Sequence, residues 1–331
     1  MQTDAERNQS WTRYWASGAL HSCAGSFAGN YEGAIAEFWH GVFASLPPGS
    51  RVLDVATGNG ALPRLLLDSG AKVAGEVEID AIDLAQVQPR WLRELAPDQR
   101  ARVRFHSGVR AEALPFADAS FQLVISQYGL EYSDLAASTS EVRRVLGADG
   151  AVALLLHHCD SLPVRLGREE LTHLAWLDAA DGVLERARKL VPYMARLGTP
   201  AGLASVRADA QAARCRADFN ASMRELDART NAHPGAAAAV LIETQAKLGA
   251  LLSGSAQLGL TRALAQFEGL IAALRESRLR QTELVACALD QTGVHALAQD
   301  LAGTRRLPAQ IATIEERSQL FGWTLRMLPE D

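Results

Sequence analysis

The sequence predicts an α/β fold in which a doubly wound parallel sheet is interrupted by a large α-helical insertion and closed by a β-hairpin. Three observations support this prediction. Short apolar runs alternate with helical patterns between residues 52 and 157, which is typical of a parallel sheet covered on both faces. From about residue 160 to residue 300 the patterns are almost only helical. Two β-rich runs then flank the short connection "RSQL", which indicates an antiparallel hairpin and seven strands in all.

Residues 1–48 are predicted to form an N-terminal helical lid. The end of this segment, "YEGAIAEFWHGVFASL", has helical periodicity, and the following "PPGS" ends the helix. The opening "MQTDAERNQSWTRYW" lacks the apolar core of a signal peptide. Aromatic side chains recur through the segment at irregular spacing, so we expect most of them to pack and a few to contact a ligand.

The α/β core is predicted over residues 49–160. Strands are expected over 52–55, 77–82, 103–106, 121–126 and 151–157, and helices over 61–69, 85–95 and 138–146. The chain is expected to return to this core over 281–331, where the hairpin completes the sheet. The first strand ends at a glycine turn, which predicts a ligand at the carboxyl edge of the sheet.

Residues 161–280 are predicted to be a helical insertion. Leu264, Phe267, Ile271 and Leu274 fall on one helical face, whereas the apolar positions of "VRADAQAARCRADFN" are mostly alanine. Alanine buries little area at ~25 cal/mol per Å², so such a segment is marginal alone. We therefore expect the insertion to roof a substrate pocket, to form a homodimer interface or to dock a carrier protein.

Composition narrows the classes of partner. The 331 residues include 33 Lys and Arg against 38 Asp and Glu, a net charge of −5, which disfavours a nucleic-acid partner. The Ala-rich run "AAAAVLIE" is far shorter than the ~20 residues that cross a bilayer, so no membrane partner is expected. The cysteines at 23, 159, 215 and 287 lack CxxC spacing and are interpreted as reduced thiols of a cytoplasmic protein.

The stretch "RVLDVATGNGAL", residues 51–62, joins a buried strand to the glycine turn. A dinucleotide fingerprint would require a third glycine where the chain has Pro63. A phosphate-binding loop would require Gly-Lys-Ser/Thr at the start of the helix, which instead begins "ALPR". Neither of these two ligand classes fits the turn.

The acidic strand end followed by "ATGNG" resembles motif I of the class I S-adenosylmethionine-dependent methyltransferases, in particular their small-molecule, type 11-like branch. "VEIDAIDLA" resembles the second strand of that family, with Asp83 at its carboxyl end. "AEALPFADASFQLVISQYGLEY" resembles its third loop and fourth strand, and "FGWTLRM" its last strand. The resemblance extends over about 50–157 and 280–328 and implies a Rossmann-like methyltransferase sheet. Two positions depart from the family pattern, Arg110 and Gln122, where relatives often have an acidic residue.

The resemblance implies S-adenosylmethionine as cofactor and S-adenosylhomocysteine as its product. Asp54 would anchor the methionine end, and Asp83 would accept hydrogen bonds from the ribose hydroxyls. Gly58 and Gly60 would let the backbone approach the cofactor without a Cβ clash. The residues expected to bind the cofactor are Asp54, Ala56, Thr57, Gly58, Asn59, Gly60, Asp83, Leu84, Ala111, Glu112, Ser126, Gln127 and Tyr14.

The candidate catalytic residues are His157, His158, Glu131 and His21. A hydroxyl or ammonium acceptor must lose a proton, and histidine has a suitable pKa for accepting it. The substrate-binding candidates, Tyr128, Tyr31 and Trp15, follow the fourth strand or belong to the lid. No metal is predicted, because adjacent residues such as His157, His158 and Cys159 rarely converge on one ion.

The sequence therefore predicts methyl transfer from S-adenosylmethionine to an O, N or C nucleophile of a small metabolite. The alternative is a non-catalytic S-adenosylmethionine-binding protein that uses the helical insertion to bind a partner. A nucleic-acid methyltransferase is disfavoured by the acidic charge balance and by the absence of an Asn-Pro-Pro-Tyr-like tetrapeptide after the fourth strand. A homodimer through the insertion is expected.

Overall fold

A computed structural model describes residues 4–22, 27, 29–69, 76–304 and 308–328. It confirms the predicted fold class. A sheet of seven strands has the order β3-β2-β1-β4-β5-β7-β6, and a large helical segment precedes the closing hairpin. Strands β1 to β5 run parallel, whereas β7 is antiparallel to both β5 and β6.

The strands agree with the predicted runs, except that β5 begins at Leu146, five residues before the predicted start. They are β1 (Arg51–Val55), β2 (Glu78–Asp83), β3 (Val103–Ser107), β4 (Phe121–Gln127), β5 (Leu146–Leu156), β6 (Ala309–Glu316) and β7 (Gln319–Met327). The helices outside the insertion are α1 (Asp4–Ala16), α2 (Gly33–Ala44), α3 (Ala61–Asp68), α4 (Pro97–Ala101), α5 (Leu135–Val145) and α11 (Gln291–Ala302).

The predicted helix over 85–95 is wrong. The chain is irregular up to Pro89, and a short 3₁₀ helix follows at Arg90–Glu94. Proline has no backbone N–H and disfavours helical backbone angles at the residue before it, so residues 85–89 cannot continue a helix through position 89. The irregular stretch lies directly after β2, where it leaves the Ala85 backbone N–H available to a side chain.

Alternating strand residues build a separate core on each face of the sheet. Val52 of β1 packs with Trp39 and Phe43 of α2, in one cluster that also includes α3. Leu53 packs on the other face, in a cluster that includes Val142 of α5 and Leu297 and Leu301 of α11. Because successive strand residues point to opposite faces, β1 is buried on both sides and its carboxyl end is held rigidly.

The closing hairpin lies where the sequence predicts it, but its connection is two residues long and not the four of "RSQL". Glu316 pairs with Gln319, and Arg317 and Ser318 between them have φ values of 50° and 60°. Positive φ at both central residues matches the right-handed twist of the flanking strands, which is why such turns join adjacent antiparallel strands.

The described chain divides into two compact units, residues 1–165 with 283–331 and residues 166–282. The helices of the insertion are α6 (Leu162–Leu177), α7 (Val183–Arg196), α8 (Pro200–Ala208), α9 (Ala210–Ala232) and α10 (Ala239–Cys287). The second unit has its own core, in which Phe267 and Ile271 of the predicted apolar face are buried and Leu264 and Leu274 are partly buried. Gly259 interrupts α10 with a φ of 72° and a ψ of 166°.

By length and composition, α10 with the turn before it, residues 236–287, could cross a membrane. Buried helices of helical domains meet the same two criteria, and Leu241, Leu248 and Phe267 of this helix are fully buried in the second unit. Helix length and composition are therefore weak support for a membrane span.

The two segments of the first unit that precede and follow the helical unit are bonded to each other. His158 forms a parallel bridge with Leu289, whose N–H donates to the His157 carbonyl at 2.8 Å and whose carbonyl accepts from Cys159 N–H at 3.0 Å. The described cysteines, Cys159, Cys215 and Cys287, form no disulfide with one another, and the cysteine at position 23 lies outside the described residues.

Candidate functional site

A cavity opens at the carboxyl ends of the parallel strands, as the glycine turn predicts. It encloses about 1080 Å³, a value that includes space open to solvent. The predicted site residues that line it are Trp15, His21, Tyr31, Asp54, Ala56, Thr57, Asp83, Leu84, Ala111, Glu112, Gln127 and Tyr128.

Asp54 lies at the end of β1 with 1% of its surface exposed. The Thr57 hydroxyl donates to its Oδ2 at 2.5 Å. The pKa of Asp54 is raised to about 8, mainly by burial and to a smaller extent by the nearby Asp83 carboxylate, while the Thr57 hydrogen bond opposes the shift. Asp54 is therefore mainly protonated at pH 7 until a cation comes close to it.

Asp83 ends β2 and is fixed by backbone donors on both oxygens. Gly58 N–H donates to Oδ2 at 2.8 Å, and Ala85 N–H donates to Oδ1 at 2.8 Å. Burial raises the pKa of Asp83 to about 6, against the effect of these two hydrogen bonds. At pH 7 the carboxylate is mainly ionised, and its remaining lone pairs can accept hydrogen bonds from a ligand.

The glycine turn itself is covered by the lid. Gly58 has a φ of 55°, and a Cβ added there would lie 2.5 Å from the Trp15 ring. The Asn59 side chain donates to the carbonyls of Trp15 and Ala19, at 2.9 and 2.7 Å, and so ties the end of α1 to the turn. Consequently Gly58, Asn59 and Gly60 are not among the described residues that line the cavity.

Helix α1 also contributes cavity residues that the sequence analysis did not identify. Arg7, Asn8 and Trp11 line the cavity together with Trp15. Arg7 forms an ion pair with Glu283, and the Trp11 indole N–H donates to the same carboxylate at 3.3 Å. The four-residue spacing of Arg7, Trp11 and Trp15 places their side chains on one helical face. This spacing is the signal from which the sequence could have predicted that they line one surface.

The loop after β3 forms the side of the cavity where the resemblance would place the adenine. Val109, Arg110, Ala111 and Glu112 line it. Glu112 Oε1 accepts from Asp134 N–H at 3.0 Å, and its Oε2 lies 3.6 Å from Arg110 Nε. Arg110 thus pairs with the neighbouring acid.

Among the predicted catalytic residues, His21 alone lines the cavity. It is 4% exposed, and its Nε2 lies 2.8 Å from the Gly29 carbonyl oxygen. Because a carbonyl can only accept, Nε2 carries the hydrogen and Nδ1 is the acceptor. Burial lowers the pKa of His21, and Nδ1 has no hydrogen-bond partner among the described residues. The Tyr31 ring stacks on the imidazole, with centroids 4.6 Å apart.

Glu131 and His157 form a buried pair behind the cavity wall. Glu131 Oε1 accepts from both the backbone N–H and Nδ1 of His157, at 2.9 and 2.8 Å. The Tyr128 ring, which does line the cavity, stacks on His157 with centroids 4.3 Å apart. His158 points elsewhere and stacks on Trp323. These three predicted catalytic residues are therefore not brought onto the described cavity surface.

Two predicted cofactor residues also lie off the cavity lining. The Ser126 hydroxyl donates to the Val55 carbonyl at 2.7 Å and accepts from Leu130 N–H, so it joins the ends of β1 and β4. The Tyr14 hydroxyl donates to the His21 carbonyl at 3.1 Å. The Tyr14 hydroxyl thus supports His21, which lines the cavity, whereas Val55 and Leu130 are not among the described lining residues.

One group of possible metal ligands is formed by His158, Cys159 and Asp160, whose ligand atoms lie within 4.8 Å of one another. His158 Nδ1 accepts from the Asp160 backbone N–H at 2.9 Å, so in the neutral ring Nε2 carries the hydrogen and neither ring nitrogen has a free lone pair for a metal. The group does not include any described residue of the cavity lining. That the protein has no metal stays a prediction.

Comparison with known proteins identifies the central part of the chain. Residues 52–150 match the sequence model of a methyltransferase domain. The demethylmenaquinone methyltransferase of Chlorobaculum parvum is 35% identical over 106 residues, which are 32% of this chain and 40% of that protein. The ubiquinone/menaquinone biosynthesis C-methyltransferase UbiE of Geotalea uraniireducens is 32% identical over 109 residues, 32% of this chain and 45% of that protein.

A third relative has a different printed activity. The malonyl-[acyl-carrier protein] O-methyltransferase of Halorhodospira halophila is 33% identical over 134 residues, which are 40% of each chain. The chain thus spans less than half the length of these curated relatives. The shared region contains β1 to β4 with their loops, and the helical insertion lies outside the family match.

Proposed function

We propose that the whole protein transfers a methyl group from S-adenosylmethionine to a small metabolite. The premise is that residues 52–150 form a class I S-adenosylmethionine-dependent methyltransferase domain. The acceptor atom is an O, N or C nucleophile, and S-adenosylhomocysteine is the other product. The observation that supports the proposal best is the pair of buried carboxylates, Asp54 and Asp83, at the ends of adjacent parallel strands within one cavity.

The described residues fit this cofactor. Each Asp83 oxygen accepts one backbone N–H and has capacity for a second bond, as a pair of ribose hydroxyls requires. Asp54 offers an acidic group for the methionine ammonium. Ile82, Leu84 and Val109 provide apolar walls for the adenine ring. S-adenosylmethionine supplies a methyl group that its sulfonium already activates, so the protein contributes mainly position and exclusion of water.

His21 is the residue that we propose as general base for an O or N nucleophile. Its lowered pKa keeps the imidazole neutral at pH 7, and its unbonded Nδ1 can accept a proton. Glu131 and His157 act as positioning residues in this proposal, since the imidazole of His157 supports the Tyr128 ring. His158 has no role in it.

We further propose that the helical unit mediates a homodimer. Two large apolar side chains of α10, Ile242 and Leu260, are 54% and 48% exposed, which supports an interface on this helix. The acidic charge balance supports the proposal that the protein binds no nucleic acid. A cytoplasmic location stays a prediction from the cysteine pattern.

Calorimetry with S-adenosylhomocysteine tests the proposed function. We expect micromolar binding, about −8 kcal/mol. Asp83→Ala should weaken binding by about 1.5–3 kcal/mol, the range for a hydrogen bond to a charged group. Asp80→Ala is the matched control, because this buried carboxylate of the same strand binds Arg51 and Arg104 instead.

The control should alter the free energy of unfolding but leave the affinity for S-adenosylhomocysteine unchanged. Equal affinities of the wild type and Asp83→Ala would remove Asp83 from the site. Binding without any transfer of a radiolabelled methyl group across a broad panel of acceptors would instead favour the non-catalytic alternative.

A further inference from the structure

We propose that Gln127, oriented by Trp39, is the residue that selects the methyl acceptor, and that the acceptor is a phenolic carbonyl compound. Its carbonyl oxygen would accept a hydrogen bond from the Gln127 amide, and its phenolic hydroxyl would face His21. The inference rests on the proposed methyl transfer and moves Gln127 from the predicted cofactor set to the substrate.

The orientation of the Gln127 amide follows from its partner. The Trp39 indole N–H, which can only donate, bonds to Oε1 of Gln127. Trp39 is fully buried in the core between α2 and the sheet, so it cannot turn away. The amide is therefore fixed with its NH₂ group as the free end. Nε2 is buried and has no acceptor among the described residues, although Gln127 lines the cavity.

An unbonded buried donor costs free energy until a ligand supplies an acceptor. The NH₂ group of Gln127 is such a donor, and Nδ1 of His21 is an unbonded buried acceptor in the lining of the same cavity. The residues that line the cavity thus include one donor and one acceptor that the described protein does not use. A ligand with one acceptor and one proton-donating group satisfies both.

The order of the strands places Gln127 away from the groups proposed for ribose and adenine. The groups proposed for ribose and adenine follow β2 and β3, which lie on one side of β1. Gln127 ends β4, which lies on the other side of β1. His21 and the Tyr31 ring stacked on it belong to the lid segment. The NH₂ group is therefore separated by the width of β1 from the strand ends that hold the cofactor's ribose.

The walls on this side favour a flat ligand. Tyr31, Tyr128 and Tyr132 line the cavity together with the imidazole of His21. Aromatic side chains stack on planar rings and offer few hydrogen bonds of their own, so polar recognition falls to the donor and the acceptor. A ring with a hydroxyl and a carbonyl substituent meets all three requirements.

In the transfer itself the phenolic proton moves to His21 Nδ1. The phenolic oxygen forms a bond to the methyl carbon, and the carbon–sulfur bond of the sulfonium breaks with its electron pair remaining on sulfur. The products are an aryl methyl ether, S-adenosylhomocysteine and a protonated His21 that returns its proton to solvent.

The test measures the binding of 2-, 3- and 4-hydroxyacetophenone to the protein saturated with S-adenosylhomocysteine. Acetophenone, which lacks the hydroxyl, and phenol, which lacks the carbonyl, are the reference probes. We expect at least one isomer to bind at least tenfold more tightly than both references. Failure of every isomer to exceed the references would overturn the inference.

Two variants assign the advantage to the amide. Gln127→Leu, and independently Gln127→Glu, should remove the advantage over phenol while the affinity for S-adenosylhomocysteine stays within twofold of the wild type. Gln122→Leu is the matched control, because that residue is exposed on the same strand and bonds to Arg51 N–H. It should leave both affinities unchanged.

The outcomes separate this inference from the proposed function. Loss of S-adenosylhomocysteine binding in both Gln127 variants would return the residue to the cofactor and overturn the inference. An absence of S-adenosylhomocysteine binding by the wild type would overturn the proposed function and the inference with it. Cofactor binding with no effect of either variant on the hydroxyacetophenones would overturn the inference alone.

Discussion

Cofactor binding should release a proton from Asp54. In the unbound protein burial raises the pKa of this carboxyl to about 8, so it is mainly neutral at pH 7. The cofactor brings a positively charged ammonium to the group that the resemblance assigns to its methionine end. A nearby cation favours the ionised carboxylate, so the pKa of Asp54 should fall on binding.

The size of the effect follows from the pKa. If the bound carboxyl titrates below pH 6, binding at pH 7 should release about 0.9 proton per site, and the affinity should be about tenfold higher at pH 9 than at pH 7. The stability of the unbound protein has the opposite trend. The folded-state pKa of Asp54 lies above the reference value of 3.8, so between pH 3.8 and about 8 the folded protein keeps a proton that the unfolded chain has lost. The free energy of unfolding therefore decreases as the pH rises through this range.

Calorimetry of S-adenosylhomocysteine binding at pH 7, in buffers of different ionisation enthalpy, measures the released protons directly. Asp54→Asn is the matched variant, since it keeps an acceptor for the Thr57 hydroxyl but cannot ionise. It should bind without proton release. The reasoning would be refuted by wild-type binding with no proton exchange, or by equal release from the variant.

Two further predictions concern the lid and the helical unit. Gly58→Val should abolish cofactor binding but preserve the far-UV circular dichroism. A Cβ at this positive φ would lie 2.5 Å from the Trp15 ring and displace helix α1 from the turn. Normal binding would contradict the assignment of the turn. Light scattering at micromolar concentration should give the mass of a dimer formed through residues 166–282, and a monomer mass would count against that interface.

The sequence was most informative where a signal is local. The strands could be predicted because each is a buried apolar run that ends in a turn, and the ligand edge could be predicted because the glycine turn follows the first strand. The prediction of a helix over 85–95 is wrong for an equally local reason, because Pro89 prevents an α-helix from continuing through the apolar periodicity of this stretch.

The site was less predictable because its decisive contacts join distant parts of the chain. Glu283 meets Arg7 across 276 positions, and no local pattern encodes that ion pair. The imidazole of His157 follows β5 as expected, but its burial behind Tyr128 depends on Glu131, 26 residues away. Strand-end position therefore predicted where His157 and His158 lie along the chain, but neither lines the described cavity, and the histidine that does, His21, belongs to the N-terminal segment.

The place where the helical unit is inserted also determines the order in which the protein can mature on the ribosome. Strand β5 ends at Leu156 and pairs with β7, which begins at Gln319, so the whole of residues 166–282 is synthesised between two paired strands. At about 5–20 residues per second, residues 283–331 need roughly 2 to 10 s.

During those seconds the helical unit is complete, and its local contacts favour rapid folding. Strand β5 meanwhile has an unpaired edge, the kind of surface on which nascent chains aggregate. The bridge between His158 and Leu289 closes the long loop with residues that precede the hairpin in the chain. The α/β sheet can therefore be completed only after residues 166–282 have been synthesised, although β1 to β5 precede them in the chain.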